Sequence, residues 1–318
     1  MMNDTVGRLS LWGIEVFLAA AEDGSVSVAA KRLGTSPSSV SQQISNLETA
    51  LGTELLNRRE RPMTLTPAGR ILRRRAQTIL SEASRARSEI TGLDLSQLGS
   101  LRLGMVEDFE ASVTPMLLSD MADTLTRTRF ELETGPSHRL LDHLEHRSLD
   151  VIVAAEFEPA NWMVSHPLLD DPFVAITPKG VGSSLSELKD LSFIEYTRRH
   201  AMGRELAAHL SGQGFNLPHR FEIDSYRAMM AMVAGGAGWT ILTALGAQHA
   251  GRYAGEIDVH PMPFAPKSRR ISVSVRKDGM EDMASDIAVR LRPLIDVQIV
   301  KPAVSQHPWL EGLLTMLT

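Results

Sequence analysis

Leu11, Ile14, Leu18 and Ala21 recur at helical spacing, and Trp12, Val16 and Phe17 widen the apolar stripe, which predicts an amphipathic helix. Gly24 ends it, and Ser25 can cap a second helix through Val28, Ala29, Ala30 and Leu33. After the turn Gly34-Thr35-Ser36, a third helix opens with Pro37 and buries Val40, Ile44, Leu47 and Leu51, with Ser36 as its N-cap. Two short helices joined by a glycine-containing turn are the pattern of a helix-turn-helix. The outer face of the third helix is short and polar: Ser36, Ser38, Ser39, Ser41, Gln42, Gln43, Ser45 and Asn46. Serine is a mediocre helix former, so propensity does not account for this face. Such groups approach base edges closely, and Gln42 and Gln43 have the amide geometry that pairs with adenine.

Leu55-Leu56 leads into 57–66, where Arg61-Pro62 can turn between two short strands, a wing carrying Arg58, Arg59 and Arg61. Wing arginines suit phosphates or a narrow minor groove. Pro67 then opens a helix, capped by Thr66 and running to about residue 92. Along it Leu72, Ala76, Ile79, Ala83, Ala86 and Ile90 are spaced 4, 3, 4, 3 and 4 apart, a coiled-coil seam. At about 1.5 Å per residue the helix is on the order of 39 Å long. A small domain cannot bury that alone, so dimerisation through this helix is expected.

From residue 98 strands and helices alternate. Strands are predicted at 101–106, 129–134 and 149–155, with helices at 113–126 and 137–147 between them. This βαβαβ order implies a parallel sheet with ligands at the carboxyl ends of its strands. A second set follows, with strands at 173–177, 192–196, 221–223 and 239–242 and helices at 204–211 and 226–234. A strand at 270–276 and a helix at 281–294 come last. Leu310, Leu313, Leu314 and Leu317 then suggest a docked amphipathic helix in the tail 297–318.

Charge divides along the same line. The 318 residues carry a net charge of −5, but 1–92 hold 12 basic and 9 acidic side chains, and 93–318 hold 21 and 29. Between Lys31 and Arg87 the excess is +7. A basic module joined to an acidic one fits a polyanion binder with a second task. The chain has no cysteine, which excludes disulfide frameworks, thiolate metal sites, cysteine nucleophiles and thiol redox sensing. No segment reads as a membrane span or signal peptide, which implies a cytoplasmic protein. His138, Asp142, His143 and His146 share one helix but lack a further ligand, and no Gly-x-Ser-x-Gly elbow occurs. No metal, cofactor or catalytic group is expected, and Met229, Met230 and Met232 read as a packed helix face.

Phe17, Ala21, Gly24-Ser25, Ala29-Ala30, Leu33, Ser36, Val40-Ser41, Ile44, Leu47-Glu48, Leu51-Gly52, Leu55-Leu56, Arg58 and Leu65-Thr66-Pro67-Ala68-Gly69 resemble the winged helix-turn-helix signature of LysR-type transcriptional regulators. This resemblance spans about 9–92. Gln42 stands where the family often has Arg, Leu56 replaces a frequent Phe, and Pro37-Ser38 replaces Gln-Pro. The remainder resembles the family's effector domain, a periplasmic-binding-protein-like pair of α/β lobes, in Leu149-Asp150-Val151-Ile152 and in Val233-Ala234-Gly235-Gly236-Ala237-Gly238. Arg147-Ser148 replaces the glycine usual before the Leu-Asp pair.

The resemblance implies a DNA-binding domain at 1–66, with Ser36, Pro37, Ser38, Ser39, Gln42, Gln43, Arg58, Arg59 and Arg61 on DNA, and a linker helix at 67–92. It implies an effector domain at 98–296, with lobe I at 98–170 plus 270–296 and lobe II at 171–269. The expected cleft residues are Glu107, Asp108, Phe109, Ser137, Glu156, Tyr196, Arg198, Arg199, Asp224 and Ser225. Three carboxylates after the first strand, Glu107, Asp108 and Glu110, either favour the N-terminus of the following helix and point to solvent, or favour a zwitterionic or cationic effector, with Arg198, Arg199 or Arg204 for an acidic end. The implied partners are promoter DNA, a small-molecule effector, further copies in a homodimer or homotetramer, and RNA polymerase. The alternative is a small-molecule binding protein or enzyme on the α/β part, with a helical interaction module.

Overall fold

The computed structural model describes residues 9–91, 98–156, 160–277 and 280–317, with backbone alone for 81, 84, 85 and 87–91. The chain forms two compact units, residues 1–100 and 101–318.

In the first unit, α1 (Leu11–Asp23), α2 (Val26–Arg32) and α3 (Pro37–Leu51) each begin on a serine. The Ser10 hydroxyl accepts from the Gly13 amide at 3.0 Å and that of Ser36 from the Ser39 amide at 3.2 Å. These caps satisfy amides that have no partner within the helix. α1 ends at Gly24 in the left-handed region, φ 59°. Strands β1 (Leu56–Asn57) and β2 (Thr64–Leu65) pair antiparallel as the expected wing. The core gathers Val16, Phe17, Ala20, Ala29, Val40, Ile44, Leu47 and Leu55. Burying a side chain such as Phe17 or Ile44 contributes about 1.5–3 kcal/mol.

The long helix α4 (Pro67–Thr91) corrects part of the proposed seam. Ala76 is fully buried in this chain's own core, and Leu72 and Leu80 pack against it. α4 packs on α1, so the first two positions of the apolar repeat, Leu72 and Ala76, are used within the unit. Ile79 is 38 % exposed, Ala83 is half-buried and Ala86 is exposed; the side chain of Ile90 lies outside the described residues.

The second unit runs β3 (Ser100–Met105), α5 (Val113–Thr124), β4 (Arg129–Thr134), α6 (Ser137–Glu145), β5 (Val151–Ala155) and β6 (Met163–Pro178). It continues with α7 (Leu185–Leu188), β7 (Phe193–Tyr196), α8 (Ala201–Gly212), β8 (His219–Ile223), α9 (Tyr226–Ala234), β9 (Trp239–Thr243) and α10 (Ala244–Ala247). β10 (Ile257–Pro261), β11 (Ser268–Arg276), α11 (Glu281–Ile295), α12 (Lys301–Gln306) and β12 (Thr315–Met316) complete it. The strand order is β4-β3-β5-β11-β6-β9-β7-β8, with β10 and β12 also on β6. The sheet is mixed rather than parallel. β3 and β5 are parallel, as β7 is to β8 and β9, but β6 and β11 run antiparallel to their neighbours.

β6 passes through both halves. Its residues 163–172 pair with β11, and 173–176 pair with β9. Sequence pattern finds only its second part, because Pro167 breaks the first. In the structure Pro167 lies at the register shift beside Ser272, where a strand tolerates a residue without an amide hydrogen. The tail departs from expectation as well. Pro308 and the left-handed Gly312, φ 79°, stop a helix there. The chain instead makes a turn at Pro308–Leu310 and lays β12 on β6, with Thr315 opposite Asp170 and Met316 opposite Leu169. Leu310 and Leu314 are buried, whereas Leu313 is exposed.

Arg147, a non-glycine residue in the left-handed region, has φ 59°. A side chain there costs about 1 kcal/mol or more. Arg147→Gly is expected to raise the chemical-denaturation midpoint by an amount worth about 1 kcal/mol; an unchanged midpoint contradicts that cost.

Candidate functional site

On the first unit, Ser36, Pro37, Ser38 and Gln42 are exposed along the start of α3, and Ser39 and Gln43 are half-buried. The Ser36 and Ser38 hydroxyls are 2.9 Å apart, and Gln42 Nε2 donates to Asn46 Oδ1 at 2.8 Å. The face therefore presents donors and acceptors already aligned with one another. Arg59 and Arg61 are exposed between β1 and β2. Arg58 stands differently. Its Nη2 donates to Glu48 Oε2 at 2.6 Å and to Ser45 Oγ at 3.2 Å. Glu48 Oε1 accepts from the Leu55 amide at 2.8 Å, so one carboxylate ties α3, the wing's entry and Arg58 together. Arg58 is thus a brace of the wing as well as a surface charge. Glu48 is the residue that pattern reading passed over, because its partners lie seven to ten positions away.

In the second unit a cleft of about 200 Å³ opens at the carboxyl ends of β3, β5 and β7. Glu107, Asp108, Ser137, Glu156 and Tyr196 line it as expected, with Tyr226, His138, His200, Met202, Glu205, Arg269 and Arg270. The Ser137 hydroxyl accepts from the Ala155 amide at 3.0 Å, and Ser272 donates to Glu156 Oε1 at 2.5 Å. Tyr196 Oη lies 3.0 Å from His200 Nδ1. Tilted ring pairs surround the mouth, His138 and His200 with centroids 5.0 Å apart and Tyr196 and Tyr226 5.4 Å apart. Burial, then nearby arginines, lowers the pKa of His138; burial, then His138, lowers that of His200. Both rings are neutral at pH 7. Burial, then Asp108 and Glu110, raises the pKa of Glu107.

The floor is a buried charge network. Arg269 Nε donates to Asp171 Oδ2 at 2.9 Å, and its Nη2 donates to Asp108 Oδ2 at 2.9 Å and to Thr243 Oγ1 at 3.2 Å. Asp171 Oδ1 accepts from the Leu245 amide at 3.0 Å. One guanidinium serves two carboxylates, which leaves one negative charge in excess. Burial pushes Asp171 up to about 6 despite the pull of Arg269. Burial disfavours the charge on Arg269 too, but Asp108, Tyr226 and Asp171 together outweigh it and hold the guanidinium above its usual range. Arg269 and Asp171 face each other across β11 and β6. Composition and periodicity do not reveal such a pair, since the two lie 98 positions apart.

Five expected cleft residues, and Arg204, are placed elsewhere. Phe109 is fully buried in the core, on the inner side of its turn. Arg198 pairs with Glu195 at 2.7 Å, and Arg199 with Asp224 at 3.5 Å. Arg204 donates to the carbonyls of Arg198 and Arg199, so none of these three arginines lines the cleft. Asp224 and Ser225 border a neighbouring depression, and Ser225 caps α9. The histidines discounted as ligands are engaged locally, His143 Nδ1 with Glu133 at 3.0 Å and His146 Nδ1 with the Asp142 carbonyl at 2.8 Å. Among the described residues no group of three suits a metal ion, and no helix is long and apolar enough to cross a membrane.

Residues 11–70 match the family described as "Bacterial regulatory helix-turn-helix protein, lysR family", and 96–296 match "LysR substrate binding domain". The chain belongs to the LysR family. A probable hydrogen peroxide-inducible genes activator of Streptomyces viridosporus is 27 % identical over 305 residues, covering 92 % of this chain and 97 % of that protein. A Corynebacterium glutamicum OxyR C206 mutant shares the fold with a TM-score of 0.65 at 23 % identity, covering 94 % and 96 % of the two chains. CbnR complexed with its target DNA shares it with a TM-score of 0.58 at 19 % identity, covering 90 % and 100 %. This LysR-family chain is a DNA-binding transcriptional regulator modulated by an effector, not an enzyme. Regulators of the family bind operator DNA and a small molecule and form oligomers.

Proposed function

We propose that this LysR-type regulator reads its operator with the start of α3 and answers to a small molecule in the cleft above Arg269. The division of labour follows the chain: 1–66 read DNA, 67–92 dimerise through the exposed side of α4, and 98–296 bind the effector. The observation that carries the DNA reading is the capped, exposed polar edge of α3 beside the wing arginines. Ser36, Pro37, Ser38, Ser39, Gln42 and Gln43 face the major groove, and Arg59 and Arg61 meet phosphate, with Arg58 held by Glu48. The effector acts by biasing how the two halves of the second unit close, which changes operator engagement and recruitment of RNA polymerase. The protein works in the cytoplasm as a homodimer or homotetramer. The relatives named for hydrogen peroxide do not fix its signal, because this chain has no thiol to oxidise.

Gel shifts with the neighbouring intergenic DNA at several salt concentrations test this. Arg61→Ala is expected to weaken binding to all sequences and to reduce the salt slope by about one. Gln42→Ala is expected to lose about 1–3 kcal/mol of discrimination at particular base pairs and leave the salt slope alone. Unchanged sequence preference in Gln42→Ala removes α3 as the reading helix.

A further inference from the structure

The cleft's lining is electrically two-sided. Asp108 is deeply buried, its side chain only 3 % exposed, and its Oδ2 is taken by Arg269. Its Oδ1 is buried and has no hydrogen-bond partner among the described residues. Buried carboxylate oxygens are ordinarily satisfied, so an orphan beside an open cleft marks a place for a donor. Glu107 stands next to it, and burial with neighbouring carboxylates makes its own negative charge unfavourable until a cation arrives. Together with the excess negative charge of the Asp108–Arg269–Asp171 network, this corner calls for a cationic hydrogen-bond donor.

The opposite requirement comes from two helices. α6, nine residues long, and α8, twelve residues long, both begin at the cleft, one from each half of the sheet. Neither has a side-chain cap. The first amides of a helix have no partner within it, and its N-terminus carries partial positive charge. Pro136, Ser137 and His138 at one head and His200, Ala201 and Met202 at the other border the cleft. Both histidines are neutral, Pro136 has no N–H, and the His200 amide donates to the Thr197 carbonyl. The amides of Ser137, His138, Ala201 and Met202 are therefore the anion-binding groups at these two heads. Arg270, also in the lining, is held by Asp170 at 2.9 Å. Arg198, Arg199 and Arg204 are spent elsewhere.

We propose that the cleft takes a small zwitterion of the amino-acid type, its ammonium held by Asp108 and Glu107 and its carboxylate by the open amides at the heads of α6 and α8. This rests on the effector reading of the cleft given above. It narrows that reading to one chemical class, and the small cavity restricts the class to compact side chains.

Titration calorimetry on the full-length protein tests it, with the twenty common amino acids and, for each binder, the matched amine lacking the carboxylate and the matched acid lacking the ammonium. At least one amino acid is expected to bind, with both matched analogues at least tenfold weaker. Glu107→Gln is expected to lower that affinity at least fivefold without lowering the melting temperature of the ligand-free protein, and Asp108→Asn to lower the affinity further. Failure of all twenty to bind overturns the proposal, as does an amine or acid that binds as tightly as its parent. Ser137→Trp, which fills the cleft, separates the two readings. A plain acid whose binding Ser137→Trp abolishes sinks the zwitterion but keeps the cleft. An effector whose binding is indifferent to Ser137→Trp sinks the cleft itself.

Discussion

Arg269→Met is expected to destabilise the second unit by about 3–5 kcal/mol, the cost of leaving buried charge without its partner. Two carboxylates, Asp108 and Asp171, then share the cleft floor without their guanidinium, and both have side chains no more than 3 % exposed. Urea unfolding followed by tryptophan fluorescence measures this, since Trp239 is buried in that unit. Arg269→Met combined with Asp108→Asn and Asp171→Asn is expected to recover most of the loss, because the uncompensated charge is gone. If the triple variant is as unstable as the single one, packing rather than charge is the role of Arg269. The wild-type network also sets a pH dependence. Asp171 holds its proton up to about 6 when folded, against an ordinary 3.8. The folded state therefore binds the extra proton in that window, and the stability contributed by this group is largest below about pH 4 and is lost as pH rises through about 6. Asp171→Asn is expected to flatten that part of the stability profile.

Gly69→Ala is the second large effect, on the other unit. A Cβ at Gly69 would stand 2.1 Å from the Leu55 carbonyl oxygen, a backbone atom that cannot rotate away. Its neighbours are fixed as well, since Thr66 Oγ1 accepts from the Gly69 amide at 3.0 Å and donates to the Glu54 carbonyl at 2.8 Å. The start of α4 must separate from the wing, at a cost of about 3 kcal/mol or more. Operator binding is expected to fall with it, as read by circular dichroism melting and gel shift. Gly52→Ala is the comparison. Gly52 has φ 66° but open space around it, so only the backbone preference is lost, about 1 kcal/mol. Equal effects from the two substitutions refute the steric account.

The parts of this protein legible in its sequence are those governed by neighbours three or four residues apart. The serine caps, the stripe from Leu11 to Ala21, and the wing between Leu56 and Leu65 all stand where local chemistry puts them. The cleft's carboxyl-end position was legible too, through the order of strands and helices. What escaped depends on partners far along the chain. Arg269 meets Asp108 across 161 positions, and nothing in the strand beginning at Ser268 shows that its arginine is buried. The first half of β6 hides behind Pro167, which is harmless only because β11 accommodates a register shift there. Phe109 looked like a cleft residue by position, but the turn that carries it rotates it into the core. In α4, a repeat that reads as one seam is divided between the chain's own core and its outer side, as Ala76 and Ile79 show.

The continuous strand β6 has a mechanical consequence. It carries the pairing into both halves of the sheet, and β11 stiffens its first part, hydrogen-bonded to it side by side from Pro172 to Met163. β12 adds a third ply at Leu169 and Asp170. The second unit therefore has a leaf spring where a looser protein has a swivel. If the halves close on an effector as proposed above, the strokes against this spring are short, and the ligand supplies the elastic energy that holds them shut. On the same proposal, release of the ligand returns that energy and resets the sensor, and the pairing of β12 with β6 adds to the stiffness.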